Sequence, residues 1–213
     1  MPPEGLITRR KLLAVLAGLA AATAGIRAAT WRPAPELITS TCQGDDPMTR
    51  KILVAYATRT GSTPEVAETI ARQLCEAGLS AEARPVGEVT SLDGYSGAVL
   101  GSAVRYASWL PEMTDFLSAQ RDALSAIPVA FFTMHMLALG DDAAAVAERA
   151  KYTAKARELI TPSDEAFFEG MIDPARLSFF DRMAVRLVKS PVGDRRDWGR
   201  IAAWADGLAP RLT

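Results

Sequence analysis

Apolar and polar positions along this chain alternate between two periods. A run of strand-forming residues from Lys51 to Tyr56 is followed by a segment with apolar residues at helical spacing that ends at Gly78. The same alternation continues to about residue 170. It predicts strands at 51–56, 81–86, 97–101, 127–133 and 165–170. It predicts helices at 66–77, 110–117 and 143–160, the last capped by Asp141 or Asp142.

Strands that alternate with helices are typical of an α/β fold. Parallel strands need crossover connections, and the crossover helices cover both faces of the sheet. In such sheets ligands bind beyond the carboxyl ends of the strands, where the strand order reverses. Three loops follow strands at that edge, namely 57–63, 102–109 and 133–141. These loops are the candidate site.

The N-terminal segment has the layout of an export signal. Arg9 and Arg10 precede an apolar run from Leu12 to Gly25, which is shorter than a membrane span and ends near small residues. We interpret residues 1–29 as a twin-arginine signal peptide, residues 30–49 as a flexible linker and residues 50–213 as the folded domain. The protein is then periplasmic or in the cell envelope. If translation starts at Met48 instead, it is cytoplasmic and possibly membrane-associated.

Composition excludes several kinds of site. The formal net charge of −1 gives no reason to expect nucleic acid as a partner. One histidine and two cysteines do not make a metal set, so no metal is expected. Cys42 and Cys75 are interpreted as free thiols, because a bridge between a tail and a helix is unusual. With a single histidine and no metal set, catalysis is expected to come from a cofactor.

The loop after the first strand is suited to a phosphate group. It reads TRTGST and opens a helix, whose first backbone N–H groups carry a partial positive charge. Gly61 permits close backbone approach, Thr63 can cap the helix, and Pro64 fits its first turn. The lysine of nucleotide-triphosphate loops is missing, which favours a monophosphate ester. The cofactor-binding residues predicted here are Thr58, Arg59, Thr60, Gly61, Ser62 and Thr63.

The pattern Thr58-x-Thr60-Gly61-x-Thr63 resembles the FMN-phosphate loop of flavodoxins. The resemblance implies bound FMN and a flavodoxin-like three-layer sandwich with a five-stranded parallel sheet of order 2-1-3-4-5. It also implies that the second and third loops flank the flavin ring. The ring-flanking residues would be Ser102, Ala103, Val104, Arg105, Tyr106, Thr133, Met134 and His135.

Four further segments are similar to the flavodoxin-type, menaquinone-dependent protoporphyrinogen dehydrogenases. They are GSAVRYASWLPEMTDFL, PVAFFTMHMLAL, FFEGMIDPARLSFFDRMAVRLVKS and RRDWGRIAAWADGL. The resemblance implies oxidation of protoporphyrinogen IX with a quinone as acceptor. Because that substrate is used on the cytoplasmic side, an export signal favours an alternative, an envelope quinone reductase or electron-transfer protein with another donor. A second alternative is a non-catalytic ligand-binding module.

Candidate substrate contacts are Arg105, Tyr106, Arg182 and Arg186. Arg105 follows a strand at the ligand edge, where it can meet a carboxylate or the flavin, or form a surface ion pair. Tyr106 and Trp109 can stack on the ring or pack in the core. Trp198 and Trp204 are interpreted as core residues.

The segment from residue 176 to 200 is basic, with seven arginines and lysines against three aspartates. Within 176–189 one helical stripe is apolar, and its flanks carry the cations Arg176, Arg182, Arg186 and Lys189. Two interpretations stay open. The segment is a core helix with cations reaching solvent, or it borders the substrate entrance or an anionic membrane surface.

Overall fold

The structure, a computed structural model, describes residues 26–44 and 51–212. The predicted signal peptide, residues 1–29, therefore lies almost entirely outside the described residues. The strands of the described part are β1 (Ser40–Cys42), β2 (Lys51–Ala57), β3 (Ser80–Pro85), β4 (Tyr95–Arg105), β5 (Ser108–Trp109), β6 (Val129–His135), β7 (Asp164–Glu169), β8 (Met171–Ile172) and β9 (Gly193–Asp194).

Helices follow most of the long strands, as the alternating pattern predicts. They are α1 (Pro64–Glu76), α2 (Pro111–Ala119), α3 (Arg121–Ser125), α4 (Ala143–Tyr152), α5 (Ala154–Leu159), α6 (Phe179–Leu187) and α7 (Trp198–Leu208). The predicted single helix over 143–160 is wrong, because the chain breaks at Thr153 and is extended at Ile160. Asp142 caps α4, and its carboxylate accepts from two backbone N–H groups.

The main sheet confirms the predicted fold class. Its order is β1-β3-β2-β4-β6-β7, with β5 paired to β4. The five parallel strands β3, β2, β4, β6 and β7 reproduce the order 2-1-3-4-5. Two short antiparallel strands, β1 and β5, extend this sheet to seven strands.

Side chains of the central strands alternate between two cores, one on each face of the sheet. Ile52 and Val54 face a core shared with α1 and α7, and Leu53 and Ala55 face a core shared with α2, α3 and α5. Burial on both faces explains why the run in β2 is continuously apolar. The result is three layers, with the carboxyl ends of the parallel strands at one edge.

Two predictions about the N-terminal region are wrong. Residues 40–42, assigned to a flexible linker, form β1 and pair antiparallel with residues 81–83 of β3. Cys42 and Cys75, interpreted as free thiols, form a disulfide with a Cα–Cα distance of 6.3 Å. Without β1, β3 would be an edge strand with unpaired backbone groups, and the pairing of β1 with it places Cys42 beside Cys75 at the end of α1.

The tryptophans of α7 have different environments. Trp198 is 40% exposed and lies under the Arg196 guanidinium at 4.6 Å, so its assignment to the core is wrong. Trp204 packs against the core and its Nε1 donates to Asp164 at 2.8 Å.

Candidate functional site

The loops after β2, β4 and β6 meet at the carboxyl edge of the parallel sheet, as the strand register requires. The first of them, residues 58–63, turns from β2 into the N-terminus of α1. Gly61 has φ +82°, a conformation that favours glycine, and its N–H donates to Thr58 Oγ1 at 3.1 Å. This loop is called the phosphate loop below.

Thr63 does not cap α1, so that prediction is wrong. Its backbone is helical, with φ −85° and ψ −33°, whereas a capping residue has extended backbone. Thr63 is fully buried, and its Oγ1 has no hydrogen-bond partner among the described residues. A buried hydroxyl without a partner costs about 1–3 kcal/mol. Such a group, at a helix N-terminus, is suited to bind a ligand oxygen.

Arginines surround the phosphate loop, but most of their charge is compensated. Arg59 Nη2 pairs with Glu112 at 2.9 Å, while its Nε is buried without a partner in the described chain. Arg176 Nη1 donates to Thr60 O at 3.3 Å. A phosphate bound in this loop would therefore be recognised mainly by N–H and O–H donors.

Arg196 is the most buried of these arginines, with a side chain 5% exposed. Its Nη1 donates to Ser62 O at 3.3 Å and pairs with Glu65 of α1. The same guanidinium lowers the pKa of Asp194. Sequence reasoning missed Arg176 and Arg196, because they lie more than 110 residues beyond the loop that they contact.

These features fit an FMN phosphate. The helix N-terminus supplies N–H groups, and two buried polar atoms, Thr63 Oγ1 and Arg59 Nε, have donor capacity that no described residue uses. Ser62 is also buried within the loop. The residues that would hold the phosphate are those of the phosphate loop.

The second loop is a tight hairpin between β4 and β5. Arg105 pairs with Ser108, and the two residues between them, Tyr106 and Ala107, have φ +52° and +56°. Left-handed backbone at both positions is typical of a type I′ turn and is unfavourable for residues other than glycine and asparagine. The turn leaves the Tyr106 side chain 84% exposed.

Arg105 connects this hairpin to α6. Its Nη2 donates to Asp181 at 2.6 Å, and its guanidinium lies 4.9 Å from the Tyr106 ring centroid. Ser178, which caps α6, holds the other oxygen of Asp181 at 2.7 Å. The pair brings the predicted substrate contacts Arg105 and Tyr106 next to the helix that carries Arg182 and Arg186.

Other predicted ring-flanking side chains point into the protein. Ser102 is fully buried, and its Oγ accepts from the N–H of Leu110 at 3.0 Å. Trp109 is 3% exposed, packs on Phe131 and donates from Nε1 to Thr133 Oγ1 at 2.9 Å. Trp109 is therefore a core residue that joins the second and third loops. Ala103 and Val104 pack at the margin of the same core.

The third loop begins at a buried histidine. Met134 is in the core, and His135 is 4% exposed with Nδ1 at 2.8 Å from Leu137 O. A carbonyl can only accept, so Nδ1 carries the proton in this contact. Burial lowers the pKa of His135, and this effect, with that of the cations Arg149 and Arg200, outweighs the hydrogen bond to Leu137 and the charge of Glu169, which raise it. The histidine is neutral at pH 7.

This shift predicts a pH-dependent stability. In the unfolded chain the imidazole takes a proton below about pH 6.5, whereas the folded protein resists protonation down to its lowered pKa. The neutral, buried His135 therefore stabilises the folded protein fully above about pH 6.5. This contribution to the free energy of unfolding is lost as the pH falls from the unfolded pKa to the lower folded pKa. Urea unfolding of wild type and His135→Asn at pH 7.5 and 5.0 should show a larger loss in wild type. Equal losses would contradict a neutral buried histidine.

Helix α6 has no buried residue, so the core-helix interpretation of its stripe is wrong. Four of its large apolar side chains, those of Phe179, Phe180, Met183 and Leu187, are more than half exposed, with Leu187 at 85%, and Val185 is partly buried. Phe179 and Phe180 contact each other edge to face. The exposed apolar residues of this surface, called the α6 face, are Phe179, Phe180, Met183, Leu187, Val188 and Val192.

The described residues contain neither a membrane-spanning helix nor a cluster of metal ligands. No helix there is long and apolar enough to cross a bilayer. No group of three or more His, Cys, Asp or Glu side chains is arranged there to hold a metal ion.

Comparisons with known proteins agree with this geometry. A family model described as a flavodoxin domain matches residues 53–198. Among solved structures, a flavodoxin from Pseudomonas aeruginosa superposes with a TM-score of 0.51, covering 76% of this chain and 98% of its own, at 15% identity. That likeness concerns the fold alone.

Curated relatives are more similar in sequence. A protoporphyrinogen IX dehydrogenase [quinone] from Leishmania major is 27% identical over 166 residues, covering 76% of this chain and 71% of the relative. The protein of the same name from Escherichia coli K12 is 25% identical over 176 residues, covering 75% of this chain and 94% of the relative.

Proposed function

Because this chain belongs to the flavodoxin domain family and FMN is its cofactor, we propose that it transfers electrons from a small reduced donor to a quinone. The observation that carries the proposal is the phosphate loop, where the buried hydroxyl of Thr63, which has no hydrogen-bond partner among the described residues, lies at the N-terminus of α1. Bound FMN supplies the electron-transfer chemistry. The protein binds and orients the cofactor and shapes access to it.

Each loop has a separate task in this proposal. The phosphate loop holds the phosphate with N–H and O–H donors. The hairpin with Tyr106 and the loop after His135 flank the ring, and their positions are fixed by the buried contact between Trp109 and Thr133. Arg105 and Tyr106 lie at the tip of the hairpin between β4 and β5 and are the proposed substrate contacts. The charge of Arg105 is compensated by Asp181.

The donor proposed first is a porphyrinogen, since the curated relatives are named protoporphyrinogen IX dehydrogenase [quinone]. A second candidate is an exported quinone reductase with another donor. The disulfide between Cys42 and Cys75 favours export, because disulfides persist in oxidising compartments and are rare in the cytosol. It supports the twin-arginine signal independently of residues 1–29.

We further propose that the α6 face rests on an anionic membrane. Arg182 and Arg186 are exposed beside the apolar stripe, and the Arg186 guanidinium has no partner within the described chain. An amphipathic helix of this kind buries its apolar side at the lipid boundary, while its cations meet anionic headgroups. Through Asp181 and Arg105 the helix adjoins the ring-flanking hairpin, which gives a membrane quinone a short path to the site.

The function is tested by spectroscopy on the purified, FMN-loaded protein without oxygen. Bleaching of the flavin by protoporphyrinogen IX and recovery after menadione would establish a porphyrinogen donor. Recovery with menadione after reduction by another donor, without any response to porphyrinogen, would assign a quinone reductase with that other donor. A protein that cannot be loaded with FMN would overturn both and leave a ligand-binding module.

A further inference from the structure

Residues 32–44, called the strap below, run across the ligand edge of the sheet and then down its side. The strap begins near α6, where Arg32 Nη1 lies 3.9 Å from Asp181. It ends beyond β1, at the opposite end of the sheet. Sequence reasoning assigned these residues to a linker.

The strap contacts the phosphate loop directly. A side chain added at Gly61 would meet Arg176 Nη1 at 3.1 Å, Pro35 Cβ at 3.7 Å and Glu36 N at 3.8 Å. The loop residue with left-handed backbone is therefore enclosed by the strap on one side and by Arg176. Both neighbours come from outside the strand-loop-helix unit that binds phosphate.

A second contact fixes the strap beside the base of the same loop. Tyr56, at the end of β2, is 1% exposed, and its hydroxyl accepts from Ile38 N–H and donates to Ile38 C=O, each at 2.8 Å. One phenol thus satisfies both backbone groups of a strap residue. Tyr56 lies two residues before Thr58, so strap and loop share an anchor.

The lower half of the strap is held by three contacts. β1 pairs with β3, and Cys42 is bonded to Cys75 in the last turn of α1. The Gly44 N–H donates to Ser80 Oγ at 3.1 Å. A disulfide restricts the open conformations of the segment that it closes. The covalent anchor sits on the helix whose N-terminus forms the phosphate site.

We propose that the disulfide-anchored strap is part of the cofactor site and holds the phosphate loop in its FMN-binding conformation. A loop that is already in the binding conformation before the ligand arrives loses less conformational entropy on binding. FMN is therefore bound more tightly and dissociates more slowly. This inference rests on the FMN cofactor of the proposed function. It adds Ile38, Tyr56, Cys42 and Cys75 as positioning residues.

The test is the rate at which FMN leaves the loaded protein after dilution. Release is measured as the rise in free-flavin fluorescence, with the sample protected from light between readings. Reduction by a water-soluble phosphine cleaves the S–S bond: the phosphine is oxidised to its phosphine oxide with the oxygen of one water molecule, and the two protons of that water complete the two thiols. We expect FMN to leave about tenfold faster after reduction. Amide hydrogen exchange in residues 57–63 of the apoprotein should also accelerate, a readout that does not depend on enzyme activity.

Variants separate the strap from general stability. The pair Cys42→Ser and Cys75→Ser should release FMN as fast as the reduced wild type and should not respond to phosphine. Tyr56→Phe should also accelerate release with the disulfide intact. Tyr95→Phe is the matched control, since its hydroxyl donates to Glu82 at 2.9 Å near the start of β4. It should leave the release rate unchanged.

The outcomes distinguish this inference from the proposed function. If reduction of the disulfide leaves the rate of FMN release unchanged or makes it slower, the inference about the strap is wrong. Slower release would indicate that the strap competes with FMN. Wild type that takes up no FMN would overturn the proposed function itself. Melting curves of each variant identify any that fail to fold, and the phosphine experiment on folded wild type needs no variant.

Discussion

Replacing Thr63 with valine is expected to weaken FMN binding roughly 10- to 100-fold without destabilising the apoprotein. A hydrogen bond from a hydroxyl to an anionic phosphate contributes about 1.5–3 kcal/mol, which corresponds to that change in affinity. In the apoprotein the same hydroxyl is fully buried and has no partner in the described chain. Valine has nearly the same shape, so losing this unsatisfied group leaves stability equal or improves it.

Thr153 offers a matched control. It is also fully buried, and its Oγ1 also lacks a partner among the residues described, but it lies between α4 and α5. Thr153→Val should match Thr63→Val in urea unfolding of the apoprotein and bind FMN like wild type. Affinities come from quenching of flavin fluorescence. Unchanged affinity in Thr63→Val would show that the hydroxyl does not contact the phosphate.

Neutralising Arg182 and Arg186 together is expected to weaken binding to anionic vesicles roughly 30-fold. Each cation near an anionic surface contributes about 1 kcal/mol, and two such contributions give this factor. The measurement is sedimentation of protein with phosphatidylcholine vesicles that contain or lack phosphatidylglycerol. Binding of wild type to the anionic vesicles should fall as salt is raised, because salt screens exposed charges.

The matched control removes two exposed cations elsewhere, in Arg121→Gln with Lys155→Gln on α3 and α5. This pair makes the same change in net charge and should leave vesicle binding near the wild-type value. If both double variants lose the same affinity for anionic vesicles, the loss is explained by net charge and not by the position of Arg182 and Arg186. A different pair of results would assign these cations to substrate carboxylates instead. In that case the wild type does not bind anionic vesicles, and the double variant Arg182→Gln with Arg186→Gln has a raised KM for porphyrinogen.

Much of the fold could be predicted because its determinants are local. The period of apolar residues follows from which face each side chain presents, so strands and helices alternate in the sequence as they do in the structure. Strand order came from the resemblance of the loop TRTGST to flavodoxins, together with four later segments. Gly61 in that loop indeed has left-handed backbone.

The patterns of charge and hydrophobicity in the sequence did not show which apolar helix faces are buried. The stripe on residues 176–189 is compatible with a core helix or a surface helix, and only the packed structure shows that α6 buries none of its side chains. Trp198 was misplaced for the same reason, since helical spacing does not say whether another element covers that face.

By itself the sequence predicted the alternating strands and helices and a loop suited to a phosphate, because each depends on neighbouring residues, and the resemblance of its motifs to flavodoxins implied the FMN cofactor. Only the tertiary structure shows which distant groups contact this loop and its neighbours: Arg176 and Arg196 on the loop carbonyls, Ile38 on Tyr56, and Cys42 on Cys75. Those contacts depend on backbone pairing at the edge of β3 and on how the C-terminal segment folds over the sheet. Long-range packing of this kind leaves no periodic signal in one chain.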